Sequence, residues 1–273
     1  MPEGPEVKIV ANQLDAKFKD QTLVKINILS GPYATKSEDR YKLFRLATKK
    51  FSKAQLTSVQ TKGKTMYWEL TPSSGKNVVT KEYIIIGFGL TGGFTFTKGE
   101  HSRIEFIFVD NEGHTTSLYY DDMRNFGNFQ LVNRETLNTK LDSLGPDIFT
   151  ITEDELNEQL TISSIQKHEI VKALLNQKVI AGIGNYLRAE ILYAANLDLS
   201  TKVQDMNSDQ IEALYQAIHK ITNEVMEAGG SPNYEDLNKT VGNYKFKVYQ
   251  KTKTPEGQPV KKTTVSGRTV YHI

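Results

Sequence analysis

The residues with the clearest chemical potential lie at the very start of the chain, in "MPEGPEV". Methionine ahead of a small residue such as proline is ordinarily removed, which would make Pro2 the amino terminus. A terminal proline is a secondary amine, a possible nucleophile for carbonyl-like carbon, and Glu3 is a carboxylate one residue away that can move protons. The same residues also suit a helix start. Pro5 fits the first turn, and Glu3 and Glu6 fit the positive end of the helix dipole. From these seven residues both readings stand.

The elements that would position this pair follow from periodicity. Val7, Val10, Leu14 and Phe18 recur at spacings of three and four, which predicts a helix over residues 5–18. An amine just ahead of it would feel the positive helix end and hold more of its neutral, nucleophilic form. Period-two stretches come next: "TMYWEL" sets Met66, Trp68 and Leu70 on one side, and "RIEFIF" does the same with Ile104, Phe106 and Phe108. With turns such as "DNEG" at 110–113, residues 20–132 read as antiparallel strands in a β-sandwich or flattened barrel.

The pattern changes at "LGPDIFTITEDE", where Thr152 and Glu155 make a capping box. A helical face at Ile170, Val171, Leu174, Leu175 and Val179 is interrupted by "AGIGN" and resumes at Leu187, Ile191 and Leu192. A further helix starts near Asn207, with Gln210 closing its capping box. A linker, "AGGSPNYEDLNKTVGN", leads to the tail, and no internal repeat is present. A turn with Gly182, Gly184 and Asn185 can expose backbone amides to a phosphate. As a structural αα-hairpin it would be equally ordinary.

Composition sets bounds on this reading. A chain of 273 residues can bury a proper core and make more than one domain. No apolar run approaches a membrane span and no signal-peptide pattern opens the chain, so a cytoplasmic or nuclear, non-secreted protein is expected. Cysteine is absent, which removes disulfides, thiol nucleophiles and cysteine-ligated zinc. The balance of 34 basic and 32 acidic residues is nearly neutral, yet residues 239–273 hold seven Lys and one Arg against one Glu, a net +7. Tyr244, Phe246, Tyr249 and Tyr271 interleave with those charges, which predicts a folded strand pair facing an anion.

The opening "MPEGPEV", "KGK" at 62–64, "FGLTGGF" at 88–94, "DMRNFGNF" at 122–129, "LGPD" at 144–147, "QKVIAGIGNYLRAEIL" at 177–192 and "VYQK…GRTVY" at the end occur in one order. Through them the chain resembles, along essentially its whole length, the formamidopyrimidine-DNA glycosylase and endonuclease VIII family of base-excision repair enzymes. The resemblance implies that Pro2 attacks C1′ of a damaged nucleotide, expels the base and forms an iminium, with Glu3 shuttling protons. Both phosphates then leave by elimination. Lys64 matches a catalytic lysine carried on a β-turn. Lys172, Asn185 and Arg268 match residues that grip phosphate, and Glu6 is expected to be a positioning carboxylate at the helix start, grouped with these DNA-binding residues. Leu90, Arg124 and Phe126 match three side chains that fill the gap left by the extruded nucleotide, Arg124 facing the orphaned base and Phe126 wedging the stack.

The chain departs from the family at its end. Most members clamp the final hairpin with zinc through four cysteines, whereas Val260 and its neighbours stand where the first ligands would be. The tail therefore resembles the zincless-finger members, in spelling closest to giant-virus homologues, with no metal and no cofactor. The implied architecture is α+β and multi-domain: a helix plus antiparallel β-sandwich over 1–135, a helix-two-turn-helix domain over 136–238, and a zincless β-hairpin finger over 239–273. A slightly short segment before "KVYQK" points to the endonuclease VIII side, with oxidised pyrimidines and guanine hydantoins as substrates. The expected partner is damaged DNA, duplex or single-stranded, bound by a monomer away from membranes. A binding module without catalysis, or an 8-oxoguanine and formamidopyrimidine glycosylase, are the alternatives.

Overall fold

Val7, Val10, Leu14 and Phe18 are each at most 1% exposed and form the buried stripe of helix α1 (Gly4–Phe18), as their spacing requires. The structure, a computed structural model, describes residues 2–73 and 80–273. Its residues group into two units. The first holds Pro2, residues 6–141 and residues 233–242; the second holds residues 3–5, 142–232 and 243–273.

The first unit is built on an antiparallel sheet. Its strands are β1 (Thr22–Ile28), β2 (Ala54–Lys62), β3 (Thr65–Pro72), β4 (Glu82–Gly87), β5 (Gly93–Thr95), β6 (Ser102–Val109), β7 (Thr115–Asp121) and β8 (Asn128–Val132). Among the described residues they run in the order β5-β7-β6-β1-β2-β3-β4-β8. Met66, Trp68 and Leu70 of β3 and Ile104, Phe106 and Phe108 of β6 all point inward, with the Trp68 and Phe106 rings 4.9 Å apart. Bulges at Leu23/Lys25, Leu56/Ser58 and Ser102/Ile104 bend the strands. The sheet thereby turns back on itself, so that Tyr120 of β7 and Phe129 of β8 meet at 4.6 Å although their strands lie near opposite ends of the order. The sandwich expected from the sequence is thus present.

Between β1 and β2, where only strands were expected, the chain makes the short helix α2 (Pro32–Thr35) and then α3 (Asp39–Lys50). The signal for α3 is local but brief. Tyr41 and Phe44, three apart, are both 1% exposed, and Lys49 and Lys50 sit at its negative end. Phe44 packs against Phe129 at 5.7 Å, so α3 covers one side of the sheet. Helix α4 (Arg134–Asp142) follows β8.

In the second unit both capping boxes form. Thr152 starts α5 (Glu153–Thr161) with Glu155 reciprocating. The short helices α6 (Ser163–Gln166) and α7 (Ile170–Ala173) and helix α8 (Asn185–Ala194) come next, before Asn207 and Gln210 cap α9 (Ser208–Glu227). The helical face expected to run to Val179 stops after α7. Asn176 breaks it: its Oδ1 accepts from the Lys178 amide, and its carbonyl accepts from the amides of Val179 and Ile180. A side chain that bonds its own backbone offers a turn in place of a helix.

The basic tail also differs from a simple strand pair. Tyr244 and Phe246 are buried in the core of this unit, and of the four aromatics only Tyr271 lies in a strand. The strand pair itself is β9 (Lys261–Val265) with β10 (Arg268–His272). Its two-residue loop has both Ser266 and Gly267 at positive φ, the type I′ geometry that suits strand twist. Val265 and Val270 turn inward to the core.

A buried carboxylate holds the base of this hairpin segment. Glu190 of α8 is fully buried and accepts from the amides of Lys247 (2.9 Å), Val248 (3.0 Å) and Tyr249 (2.8 Å) and from the Tyr244 hydroxyl (3.1 Å). Burial and this carboxylate push the Tyr244 pKa up, which keeps the phenol a donor. Among the described residues no helix is long and apolar enough to cross a membrane. Replacing Glu190 by alanine strands these donors and is expected to cost on the order of 3 kcal/mol in urea unfolding. Dialysis against a chelator is expected to leave the wild-type midpoint unchanged, since the hairpin is held by Glu190 and by packing.

Candidate active site and nucleic-acid interface

The glycine turn expected at 181–185 is a socket for Glu3. Glu3 is 2% exposed; its Oε2 accepts from the amides of Gly184 (2.7 Å) and Leu187 (3.2 Å), and its Oε1 from that of Tyr186 (3.0 Å). These are the donors that a helix leaves unsatisfied at its start, and a negative charge is favoured there. A Cβ on Gly184 would lie 2.2 Å from the Glu3 carboxyl carbon, so only glycine admits the carboxylate. The turn is braced by Gln177, whose side chain donates to the carbonyls of Leu175 and Ile183 and accepts from the Gly182 amide. The Gly4 amide donates to the Gly182 carbonyl at 3.0 Å. The sequence marked Glu3 and the glycine turn separately; the structure joins them.

Asn185, the first residue of α8, is fixed on both sides of its amide. Its Nδ2 donates to the Thr269 carbonyl on β10 (2.9 Å), and its Oδ1 accepts from Arg188 (2.6 Å). Arg188 also donates to the Val171 carbonyl at the end of α7 (3.1 Å). One chain of hydrogen bonds therefore ties together the three elements that carry Lys172, Asn185 and Arg268, because Lys172 follows Val171 and Arg268 precedes Thr269. Lys172 is exposed and pairs with Glu169 at 2.9 Å, and Arg268 is exposed at the hairpin tip.

Arg188 was not singled out in the sequence. It is fully buried, and burial first, then the like charge of Arg268, lowers its pKa to about 10, so it remains a cation at neutral pH. The available signal was an arginine set within the apolar run "YLRAEIL". Its charge lies near that of Arg268, which makes this face of the unit attractive to an anion such as phosphate.

In the first unit Pro2 is buried, and Glu6, in the first turn of α1, is 2% exposed. Its charge is one of the influences that raise the Tyr234 pKa, after burial. Lys64 sits at the tip of the β2–β3 hairpin. Lys62 pairs with Thr65 across a two-residue loop, and Gly63 takes positive φ at its first position, as a type II′ turn needs.

Leu90 lies half-buried in the turn after β4, outside the apolar core. Arg124 and Phe126 are exposed on the loop between β7 and β8, the guanidinium 5.1 Å from the ring centre. The two loops touch through backbone: a Cβ on Gly89 would lie 2.5 Å from the Phe126 carbonyl carbon. Leu90 and Phe126 are therefore brought to one edge of the sandwich. Met123, also exposed, stands on the same loop and carried no signal in the sequence beyond its neighbours.

Comparison with known proteins matches two domains to this architecture. The formamidopyrimidine-DNA glycosylase N-terminal domain matches residues 1–129, and the formamidopyrimidine-DNA glycosylase H2TH domain matches residues 144–235. The chain belongs to the formamidopyrimidine-DNA glycosylase and endonuclease VIII family. Among relatives of the family, the formamidopyrimidine-DNA glycosylase of Lactobacillus gasseri is 29% identical over 252 residues, covering 89% of this chain and 85% of that protein. That of the Wolbachia of Brugia malayi is 28% identical over 270 residues, covering 93% and 90%.

The family fold is equally evident in solved structures. The MutM (Fpg) protein of Thermus thermophilus superimposes with a TM-score of 0.82 at 23% identity, over 100% of this chain and 97% of that one. Lactococcus lactis Fpg, solved with DNA containing an abasic site, gives 0.81 at 22% identity over 99% and 97%.

The Arg188 link and the Arg268 charge make separable predictions. Arg188→Met is expected to weaken binding to an abasic-site duplex about tenfold while changing the salt dependence less than Arg268→Ala does, because the buried guanidinium acts on phosphate only at a distance. Arg268→Ala is expected to lower the slope of log affinity against log salt by about one. Fluorescence anisotropy across a salt series measures both.

Proposed function

We propose that this chain is a bifunctional DNA glycosylase and abasic-site lyase of base-excision repair. The observation that carries the reading is the Pro2–Glu3 pair: a potential amine nucleophile joined to a carboxylate that accepts three amides at the start of α8. A protein that only bound DNA would have no need of a secondary amine beside such a carboxylate. The first segment, 1–135, carries the chemistry; 136–238 and the hairpin 239–273 grip the backbone.

Once residue 2 is the free terminus, the Pro2 nitrogen donates its electron pair to C1′ and the glycosidic bond breaks toward the base, which leaves with a proton. The ring oxygen then leaves C1′ and takes a proton through Glu3, giving an open-chain iminium. The cationic nitrogen withdraws electrons, so loss of a C2′ proton forms a C2′–C3′ double bond as the 3′ phosphate departs. The 5′ phosphate leaves in a second elimination, and water releases the sugar remnant from Pro2. Lys64, on its rigid turn, offers a cation to the reacting nucleotide's phosphate.

Lys172, Asn185 and Arg268 hold phosphates without reading sequence. Leu90, Arg124 and Phe126 occupy the gap left by the extruded nucleotide. The partner is damaged DNA and the working species a monomer, in whichever of cytoplasm or nucleus holds that DNA.

The substrates we favour are oxidised pyrimidines and guanine hydantoins. The segment that would have to cover a flipped purine is short and self-bonded: Asp236 Oδ1 accepts from the amides of Asn238 and Thr240, and Leu237 is buried. A preference for 8-oxoguanine and formamidopyrimidine is the second reading, favoured by the names of the relatives.

Borohydride trapping on an abasic-site duplex tests the mechanism, comparing Met1-free protein with Pro2→Gly and locating the adduct by mass spectrometry. An adduct on Pro2 that is lost or reduced in the variant is expected. No adduct from protein with a proven free Pro2 would leave a DNA-binding protein without catalysis. Single-turnover excision of dihydrouracil, hydantoin, 8-oxoguanine and formamidopyrimidine duplexes then ranks the lesions, the first two expected fastest.

A further inference from the structure

The loops that carry Leu90, Arg124 and Phe126 are far apart in sequence, and one buried carboxylate joins them. Asp122 is 1% exposed. Its Oδ1 accepts from the Thr91 hydroxyl at 2.6 Å, and its Oδ2 from the Gly127 amide at 2.7 Å. The Thr91 oxygen in turn accepts from the Arg124 amide at 3.1 Å. Thr91 follows Leu90, and Gly127 follows Phe126. Both loops thus hang on the two oxygens of a single side chain.

The surroundings make that arrangement stiff. The Tyr120 hydroxyl donates to the Phe88 carbonyl at 3.0 Å, and a Cβ on Gly92 or on Gly127 would come within 2.1 Å of its oxygen. The Tyr33 hydroxyl donates to the Gly127 carbonyl at 2.8 Å. Arg103 donates to the Asp122 carbonyl at 2.9 Å and to the Ser30 hydroxyl at 3.0 Å. Asn125 takes positive φ, the conformation that turns Arg124 and Phe126 outward together. The network fastens the two loops through the Phe88 and Gly127 carbonyls and the Arg124 and Gly127 amides, whereas Arg124 and Phe126 stay exposed and Leu90 half-buried.

We propose that Asp122 is a positioning residue for damage recognition: through Thr91 and Gly127 it holds the Leu90 turn and the Arg124–Phe126 loop as one rigid wedge. The inference rests on the proposed function, in which those side chains enter the duplex. It assigns to Asp122 no contact with DNA and no part in the iminium chemistry. A wedge held in place beforehand loses little freedom when it enters the stack, so the carboxylate acts on base extrusion. A single-stranded abasic site has no stack to fill and needs no wedge.

The test compares Asp122→Ala, Asp122→Asn, Thr91→Val and Thr91→Ser with wild type, all freed of Met1, on two substrates. One is single-turnover excision of dihydrouracil from a duplex; the other is borohydride trapping on a single-stranded abasic oligonucleotide. Asp122→Ala is expected to slow duplex excision about 30-fold or more and Thr91→Val about 5- to 10-fold. Trapping on the single strand should stay within about twofold for both. Asp122→Asn can still accept from Gly127 while its amide donates to Thr91, so it and Thr91→Ser should stay within about threefold of wild type on both substrates.

Equal losses on the two substrates would overturn the proposal, because the carboxylate would then support only the fold. No loss on the duplex would overturn it as well. Should Asp122→Ala fail to fold by circular dichroism, Thr91→Val, at a half-buried surface position, decides the matter alone. Absence of trapping by wild type would instead overturn the proposed function, and with it this inference, so the two failures are told apart by the wild-type control.

Discussion

Three amides at the start of α8 point at one carboxylate, and that carboxylate belongs to Glu3, more than 180 residues away in the chain. The socket satisfies donors that a helix cannot satisfy itself, and it fixes the residue directly bonded to Pro2. Gly184 is the condition for it, since a side chain there would collide with the carboxylate. Gln177 is the support, closing the glycine turn through three hydrogen bonds. A small displacement of α8 would therefore move the Glu3 carboxylate with it.

The same helix organises the rest of its unit. Asn185 and Arg188, three apart and so on one face, connect α7 and β10, and Glu190 gathers the backbone that leads into the hairpin. One buried carboxylate thus collects three backbone amides and a phenol, concentrating a charge where several donors converge. Glu190 lies on the helix whose N-terminus binds Glu3, so the base of the hairpin and the Glu3 carboxylate share one rigid element.

The sandwich follows a different division of labour. Its interior is aromatic, with Trp68, Phe94, Phe106, Tyr120 and Phe129 in mutual contact, and this gives a stiff platform. Large exposed side chains stand at a loop tip, where Arg124, Phe126 and Met123 face outward. Close backbone approach at Gly89, Gly92 and Gly127 lets two loops share one edge without any side chain between them. Stiffness beneath and exposure above suit the wedge role proposed for these side chains.

Much of this was legible in the sequence wherever the physical cause is local. The stripe of α1, the alternation in β3 and β6 and the two capping boxes are patterns with periods of three to four or two, and they fold as they read. The Pro2–Glu3 pair and the order of the motifs were equally plain, because covalent adjacency and spacing are properties of the chain. Helix α3 was hidden because only two buried residues mark it, and the helix expected to reach Val179 was cut short by the turn Asn176 makes with its own backbone. The Glu3 socket, the Arg188 link and the Asp122 clamp were decided by tertiary structure alone. Each joins groups that no local period relates, and only folding creates the burial that makes an unpaired carboxylate or guanidinium costly enough to fix its partners.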